Sequence, residues 1–468
     1  MKRWLIITLL GWMLGWPIQA QPLQISVDPG SRFQRLEGWG ASLCWWANMA
    51  GDFPPDQIEK LATLITSPTN LNFNIFRFNI GGGDAPDHHH MRGDGGAMPG
   101  YRPGPQQPYD WSADARQRAI LLALKGKRSD LILEAFANAP PYWMSKSGCA
   151  AGNTDGSNNL RDDCYGEFAD YLTEVVKYYK EKHGVVFRTI APMNEPDADW
   201  WKARNKQEGC QFTLDKQVIL IRALNQKLSA KGLLGYTQVS AMDANNVDHC
   251  LRALTGNQGY TANNLWPLIG QINAHTYFGS QRKELQRAVA RYQKRLWQSE
   301  SGPLHVKSSG LANYLFMAQR IITDLRELQP VAWLDWQIMT KGASPWGLLA
   351  GDYEHKTFQV TKAYSVRCQF SRFLRAGSTI IGSQPASTLA ALSSAGDQLC
   401  VVICQPAESA RQAQLDLGKF PSVRGQAVAF RTSETEDCLP LGSLPLTGKT
   451  IALTLPPNSI TTIVVGLR

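Results

Sequence analysis

Between about Arg35 and Met339 the apolar positions fall into short β-rich runs separated by stretches with helical spacing, the pattern of a parallel sheet assembled from βα units. Eight runs read as strands: Leu36 to Cys44, Asn74 to Asn79, Leu131 to Ala137, Phe187 to Met193, Thr237 to Met242, Gln271 to Tyr277, Arg295 to Ser299 and Val331 to Ile338. Helices are predicted between them. Pro54 and Pro55 suit a first helical turn, and Phe168, Leu172, Val175, Val176 and Tyr179 form an apolar stripe that stops at Gly184. Leu311, Leu315, Ala318, Ile322 and Leu325 repeat that spacing before the last strand. Eight strands alternating with helices predict a (β/α)8 TIM barrel, placed over residues 36–365.

From about Gln384 the pattern changes to short β-branched strands punctuated by Gly, Pro and Asn, with little helical periodicity. This predicts a C-terminal β-sandwich domain over residues 366–468. The early run Leu23 to Pro29, within residues 21–35, is expected to add an N-terminal strand to the sandwich and so join the two ends of the chain.

The first twenty residues differ again: Lys2 and Arg3, a mostly apolar run from Trp4 to Ile18, then a small-residue ending at Ala20. That is the form of a signal peptide cleaved near Ala20. The run is short for a membrane span, and no later window offers about twenty uninterrupted apolar residues. The mature chain is therefore expected to be secreted or periplasmic, with no membrane span, and to act as a monomer. Export would carry the nine cysteines into an oxidising compartment, where an odd number leaves at least one unpaired. Cys149 and Cys164 bracket a Gly/Asn-rich loop and are the candidate disulfide; no cysteine spacing suggests a zinc site.

Without Lys2 and Arg3 the formal charge falls from +9 to +7, 46 basic residues against 39 acidic ones. The basic residues are scattered, so they read as a solvated surface and argue against nucleic acid as a partner. An acidic polysaccharide would suit the sign, but net charge speaks to solubility before substrate.

The candidate chemistry lies at the C-terminal ends of the predicted strands, where barrel loops converge. The fourth strand runs into Pro192-Met193-Asn194-Glu195-Pro196 and the seventh into Trp297-Gln298-Ser299-Glu300-Ser301-Gly302. A single glutamate there could cap a strand or pair with an arginine. Two of them suit glycoside cleavage, in which one carboxyl protonates the leaving oxygen while another stabilises or attacks the oxocarbenium-like centre. Sugar rings stack their flat C–H faces on aromatics, and Trp45, Trp46, Trp143, Trp200, Trp201, Trp336 and Trp346 follow strand ends. Each could equally be core packing; their clustering favours a cleft, with a polysaccharide as partner.

These residues resemble glycoside hydrolase clan A, and family 30 in particular, whose members pair a (β/α)8 barrel with a β-sandwich. The resemblance covers nearly the whole mature chain. It implies Glu195 as acid/base and Glu300 as nucleophile of a retaining enzyme, and Asn194 as the residue that binds the sugar 2-hydroxyl. Arg77 would keep the nucleophile ionised, Tyr277 would donate a hydrogen bond to it, and Asp84 would bind substrate hydroxyls. Trp143 and Trp336 resemble residues around the cleaved sugar, with Trp46, Asn138 and Trp201 as further substrate contacts. His275 would bind substrate or orient Glu300, unless it is a core histidine.

The wording Gly38 to Asn48, Gly81-Gly82-Gly83-Asp84 and Gln207-Glu208-Gly209-Cys210 is most similar to the endo-β-1,6-galactanase branch, which implies β-1,6-galactan as substrate. Two departures touch the subsites: Phe136 to Pro140 lacks the serines that flank the asparagine in the family, and Ala241-Met242-Asp243 is less acidic than its usual fifth-strand ending. A β-1,6-glucanase or β-glucosidase is the enzymatic alternative, and a carbohydrate-binding protein on a retired barrel the non-enzymatic one. The chemistry needs no cofactor. The run Asp84 to His90 holds possible metal ligands, but adjacent histidines on a Gly/Pro-rich loop lack the fixed facial spacing of a catalytic metal site, so no metal is expected.

Overall fold

The computed structural model describes residues 21–304 and 310–467. The leader expected over residues 1–20 lies outside the described residues. The chain opens with β1 (Leu23–Arg35) and then forms the eight expected barrel strands: β2 (Gly38–Ser42), β3 (Ile75–Asn79), β4 (Ile132–Phe136), β5 (Thr189–Ala191), β6 (Gln238–Asn246), β7 (Ile269–Phe278), β8 (Arg295–Glu300) and β9 (Ala332–Gln337). Each pairs in parallel with its sequence neighbour, and β9 closes the barrel on β2. The fifth barrel strand, β6, does not end at Met242 as expected. It runs on to Asn246 through two irregularities in register, between Met242 and Ala244 and between Ala244 and Asn246. That extension carries Asp243 and Asn245 to the barrel mouth.

The helices follow the apolar stripes. In Tyr165–His183 the stripe residues Phe168, Leu172, Val175, Val176 and Tyr179 are buried, and Gly184 ends the helix at φ +58. A left-handed residue there frees the chain to turn without the Cβ penalty any other residue would bear. Pro55 occupies the first turn of Pro55–Thr66, where its missing N–H has no partner to lose.

The barrel interior changes character along its axis. Ile75, Trp297, Ala332 and Leu334 form an apolar cluster. Beside it lies a fully buried polar layer of Arg77, Glu134, Thr189, Ser240, Gln271 and Asn273. Such groups are tolerated inside a protein only when paired, and here they pair with one another.

After β9 comes a small sheet, β10 (Met339–Lys341), β11 (Leu349–Asp352) and β12 (Thr357–Val360), and then the helix Lys362–Ser371. That helix spans residues 365 and 366, where composition had put the passage between domains. Nine further strands follow: β13 (Thr379–Gln384), β14 (Thr388–Leu392), β15 (Gln398–Gln405), β16 (Arg411–Asp416), β17 (Arg424–Thr432), β18 (Leu439–Leu444), β19 (Leu446–Thr447), β20 (Thr450–Leu455) and β21 (Ser459–Gly466). With β1 they form a second β-structure in the order β18-β17-β21-β15-β14-β13-β1-β16-β20-β19. As expected, β1 joins the chain ends, lying antiparallel to β13 and parallel to β16. Alternation along β15 covers two cores: Leu399, Val401 and Ile403 fill the sandwich, whereas Cys400, Val402 and Cys404 belong to the barrel-side core.

The expected Cys149–Cys164 bridge is not formed, and all nine cysteines are buried free thiols. The loop is closed by main chain instead: Ser145 bridges Leu160, and Lys146 N–H donates to Asn159 O at 2.7 Å. Among the described residues no helix is long and apolar enough to cross a membrane.

Candidate active site

β5 is short, and the chain leaves it through Asn194 into Glu195, which adopts a left-handed backbone at φ +46. Such a conformation is unfavourable for a non-glycine residue and is held here by its surroundings: Glu195 N–H donates to Asp243 O at 2.9 Å, tying the end of β5 to β6. Glu300 is the last residue of β8, paired in register with His275 on β7. One carboxylate oxygen of Glu195, one of Glu300 and a ring nitrogen of His275 all lie within 4.8 Å of one another. Both glutamates are buried apart from a sliver at the barrel mouth.

Beneath the pair lies a charge network. Arg77, fully buried, donates from Nε to Glu134 at 3.0 Å and from Nη1 to Glu300 at 3.2 Å, and its Nη2 pairs with Asp243. The guanidinium also sits 4.1 Å from the Phe136 ring centroid. His275 directs Nδ1 to Glu195 at 3.2 Å and Nε2 to Asp243 at 3.2 Å, with Glu300 3.6 Å from Nδ1. Two nitrogens that both face carboxylates must both carry hydrogen, so the ring is an imidazolium. Burial works against that charge, but Glu300 and Asp243 outweigh it and raise its pKa to about 10.

The carboxyls diverge. Burial pushes Glu300 up to about 7 and Glu195 adds to the effect, while His275 and Arg77 pull it back. Burial opposes the Asp243 charge too, yet Arg77 and His275 prevail and hold it below the usual carboxylate range. Burial raises Glu134, with Arg77 working against it. Tyr277 is raised first by burial and then by Glu300, so it keeps its proton and its hydroxyl donates a hydrogen bond to Glu300 Oε1 at 3.1 Å. Asn245 Nδ2 donates to Glu195 Oε1 at 2.7 Å.

Above this network opens a cleft of about 570 Å³ lined by Glu195, Glu300, Asn194, Asn245 and Tyr277, with walls of Trp45, Trp200, Trp201, Trp336 and Trp346. Trp45 and Trp336 meet edge to face at 5.1 Å. Two glycines make room for the indoles. A Cβ on Gly209 would stand 2.1 Å from the Trp201 ring, and one on Gly302 would stand 2.3 Å from Trp346. Glu208 braces one wall, accepting from Trp45 Nε1 at 3.1 Å, Asn79 at 2.6 Å, Asn138 at 3.0 Å and Met98 N–H at 3.1 Å.

Residues 22–341 match the model of O-glycosyl hydrolase family 30. The chain belongs to O-glycosyl hydrolase family 30. This family 30 glycosidase is 30% identical, over 424 residues, to the endo-β-1,6-galactanase of Hypocrea rufa, covering 84% of this chain and 83% of that protein. In fold it is similar to a conserved exported protein from Bacteroides fragilis, with a TM-score of 0.80, 19% identity and coverage of 94% and 100% of the two chains. The catalytic domain of family 30 xylanase C from Talaromyces cellulolyticus gives a TM-score of 0.74, 18% identity and coverage of 94% and 99%.

In this family 30 enzyme the expected residues Glu195, Glu300, Asn194, Asn138, Trp201, Tyr277 and Trp336 line one cleft, with Arg77 and His275 packed beneath it. Three expected contacts lie elsewhere. Trp46 is a core residue whose indole N–H donates to Ser42 O at 2.8 Å, and its neighbour Trp45 faces the cleft instead. Trp143 donates to Arg102 O at 2.9 Å and packs against that arginine. Asp84 is turned towards His88 and His90. Four site residues were not anticipated: Glu134, Asp243, Asn245 and Glu208. Glu134 had a signal, a lone charge inside an apolar strand, and Glu208 lay in a quoted motif. Asn245 had none.

Proposed function

We propose that this glycosidase cleaves β-1,6-linked galactan within its chains by double displacement with retention of configuration. The proximity of the two glutamates carries the reading. Retaining enzymes hold their carboxyls about 5–5.5 Å apart, whereas inverting ones need about 6.5–9.5 Å to admit a water, and oxygens of Glu195 and Glu300 lie within 4.8 Å. The galactan assignment is supported by the similarity to the Hypocrea rufa enzyme and by the loop wording that resembles that branch.

In the first step Glu300 attacks the anomeric carbon while Glu195 gives its proton to the departing glycosidic oxygen. The C–O bond breaks and a glycosyl ester forms on Glu300. In the second, Glu195 takes a proton from water, whose oxygen displaces Glu300 from the same carbon. Asn245 and His275 both donate to Oε1 of Glu195, which leaves Oε2 to carry the transferable proton. Asn194 Oδ1 is buried without a partner beside the pair, as a group awaiting a sugar hydroxyl would be. The leader-like first twenty residues support work outside the cytoplasm, and a cleft completed by one chain supports a monomer.

The test is to incubate the enzyme with β-1,6-galactan, β-1,6-glucan and glucuronoxylan side by side, following products by mass spectrometry and their first-formed anomer by NMR. Internal cleavage of galactan to β-configured oligosaccharides is expected. Products of the α configuration would refute the mechanism, and an uncut galactan would refute the substrate.

A further inference from the structure

The loop after β3 carries Asp84, His88 and His90, and the loop after β4 carries Cys149. Their four potential ligand atoms lie within 4.8 Å of one another, and the mechanism uses none of them. The Asp84, His88 and His90 side chains are only 10%, 15% and 12% exposed, and Cys149 is buried. Asp84 Oδ2 stands 2.9 Å from His90 Nε2, Cys149 Sγ stands 3.3 Å from the same nitrogen, and His88 Nδ1 stands 3.2 Å from Asp84 Oδ1.

The hydrogen positions make this cluster unusual. His90 Nδ1 lies 2.5 Å from the main-chain oxygen of Asn205, on the loop after β5. A carbonyl oxygen only accepts, so Nδ1 carries a hydrogen and Nε2 is the nitrogen turned into the cluster. That nitrogen faces Asp84 Oδ2, a buried oxygen with no other partner. A proton or a metal cation can bridge such a pair, and His88 and Cys149 set two further potential ligand atoms around the same point. Ala150 N–H donates to the other oxygen of Asp84 at 2.9 Å, and Arg204 N–H donates to Cys149 Sγ at 3.4 Å. A backbone carbonyl that fixes the far nitrogen of a ligating histidine is the usual outer partner of a metal site.

We propose that Asp84, His88, His90 and Cys149 form a structural binding site for a divalent cation of the zinc type. A donor set of two imidazoles, one thiolate and one carboxylate suits zinc. Tetrahedral zinc, with bonds of about 2.0–2.3 Å, sets its ligands roughly 3.3–3.8 Å apart, a separation that falls within the 4.8 Å span of these atoms. Four protein donors leave no position open, so the ion holds structure rather than activating water. It staples the loops after β3 and β4, to which the loop after β5 is held through Asn205 O and Arg204 N–H, and these three loops supply Arg92, Asn138, Trp201 and Glu208 to the cleft wall. The site would therefore set the shape of the wall while staying outside the reaction.

The test uses untagged full-length protein. Elemental analysis after growth with zinc is expected to give one zinc per chain, and chelator treatment should lower the melting temperature until zinc is restored. Cobalt(II) added to the metal-free protein should give a thiolate-to-cobalt charge-transfer band, lost in Cys149→Ser while the weaker ligand-field bands persist, and both should be lost in His90→Ala. In the native protein, no cobalt spectrum, or a melting temperature indifferent to chelator and zinc, would overturn the proposal. So would a charge-transfer band that survives in Cys149→Ser.

Discussion

Replacing Glu300 by Gln should abolish catalysis and, above neutral pH, stabilise the protein. Burial lifts this carboxyl from 4.5 to about 7 in the folded chain, so the folded state keeps its proton where the unfolded chain has released it. Stability therefore falls as pH rises from 4.5 through 7, and above 7 the full penalty is carried. At 1.36 kcal/mol per pH unit the displacement amounts to about 3 kcal/mol. Glutamine is neutral throughout and escapes it. Arg77 does not become a stranded charge in the variant, because Glu134 and Asp243 still pair with it. About 3 kcal/mol is an upper value, since an amide oxygen accepts more weakly than a carboxylate from Tyr277 and Arg77, and since the buried His275 imidazolium loses the charge of Glu300. At roughly 2.1 cal/mol/K per residue it corresponds to a rise of about 3–4 °C in melting temperature. Calorimetric melts of both proteins at pH 5 and pH 8 measure it: a small difference at pH 5 and a higher melting temperature for Glu300→Gln at pH 8 are expected, together with a loss of turnover of at least ~10⁴-fold. A variant less stable than the native enzyme at pH 8, or equally displaced at both pH values, would refute the electrostatic account. Substantial residual turnover would refute the nucleophile.

Glu195→Gln should slow galactan cleavage by about 10²–10⁴-fold and spare the first step on aryl galactosides whose leaving group needs no proton; an equal loss on both substrates, read by burst kinetics, would argue against an acid role. Asn245→Ala removes a hydrogen bond to a charged partner, worth about 1.5–3 kcal/mol, and should lower kcat by roughly 10–100-fold with little change in KM, while an unchanged kcat would remove Asn245 from the positioning of Glu195. His275, raised to about 10, contributes stability that is complete below its unfolded value of 6.5 and is lost as pH climbs through 10. Chemical denaturation of His275→Gln should therefore show a shallower decline between pH 7 and 10 than the native enzyme, and identical slopes would exclude the imidazolium.

The two glutamates were legible because each stands at the C-terminal end of a predicted strand, and a barrel gathers strand ends at one mouth. Asn245 was not, for a physical reason. Strand period is two, but β6 breaks register twice after Met242, so the alternation that marks a strand disappears just where the site residues begin. Glu134 is a different case. Its charge is visible in the sequence, but only barrel closure sets it opposite Arg77 in the β3–β4 register and beneath the donors of β5, β6 and β7. Trp45 and Trp46 differ by one position at the start of the helix Trp46–Ala50, and one residue of helix onset decides which indole meets the cleft. The Cys149–Cys164 pairing failed because spacing measures the loop between two thiols but not their directions.

The network beneath the cleft also shows what His275 adds to Arg77. Arg77 binds three carboxylates and touches only the nucleophile of the proposed pair. His275 lies between the two glutamates, 3.2 Å from Glu195 and 3.6 Å from Glu300. In the proposed cycle the negative charge begins on Glu300, disappears into the glycosyl ester, and reappears on Glu195 once its proton has left with the sugar. A cation between the two sees the charge move from one neighbour to the other without itself moving. It favours ionised Glu300 before attack and ionised Glu195 before water is activated, so one imidazolium eases both half-reactions. The ring can do this because Asp243, held ionised by Arg77, fixes its far nitrogen and sustains its charge from behind.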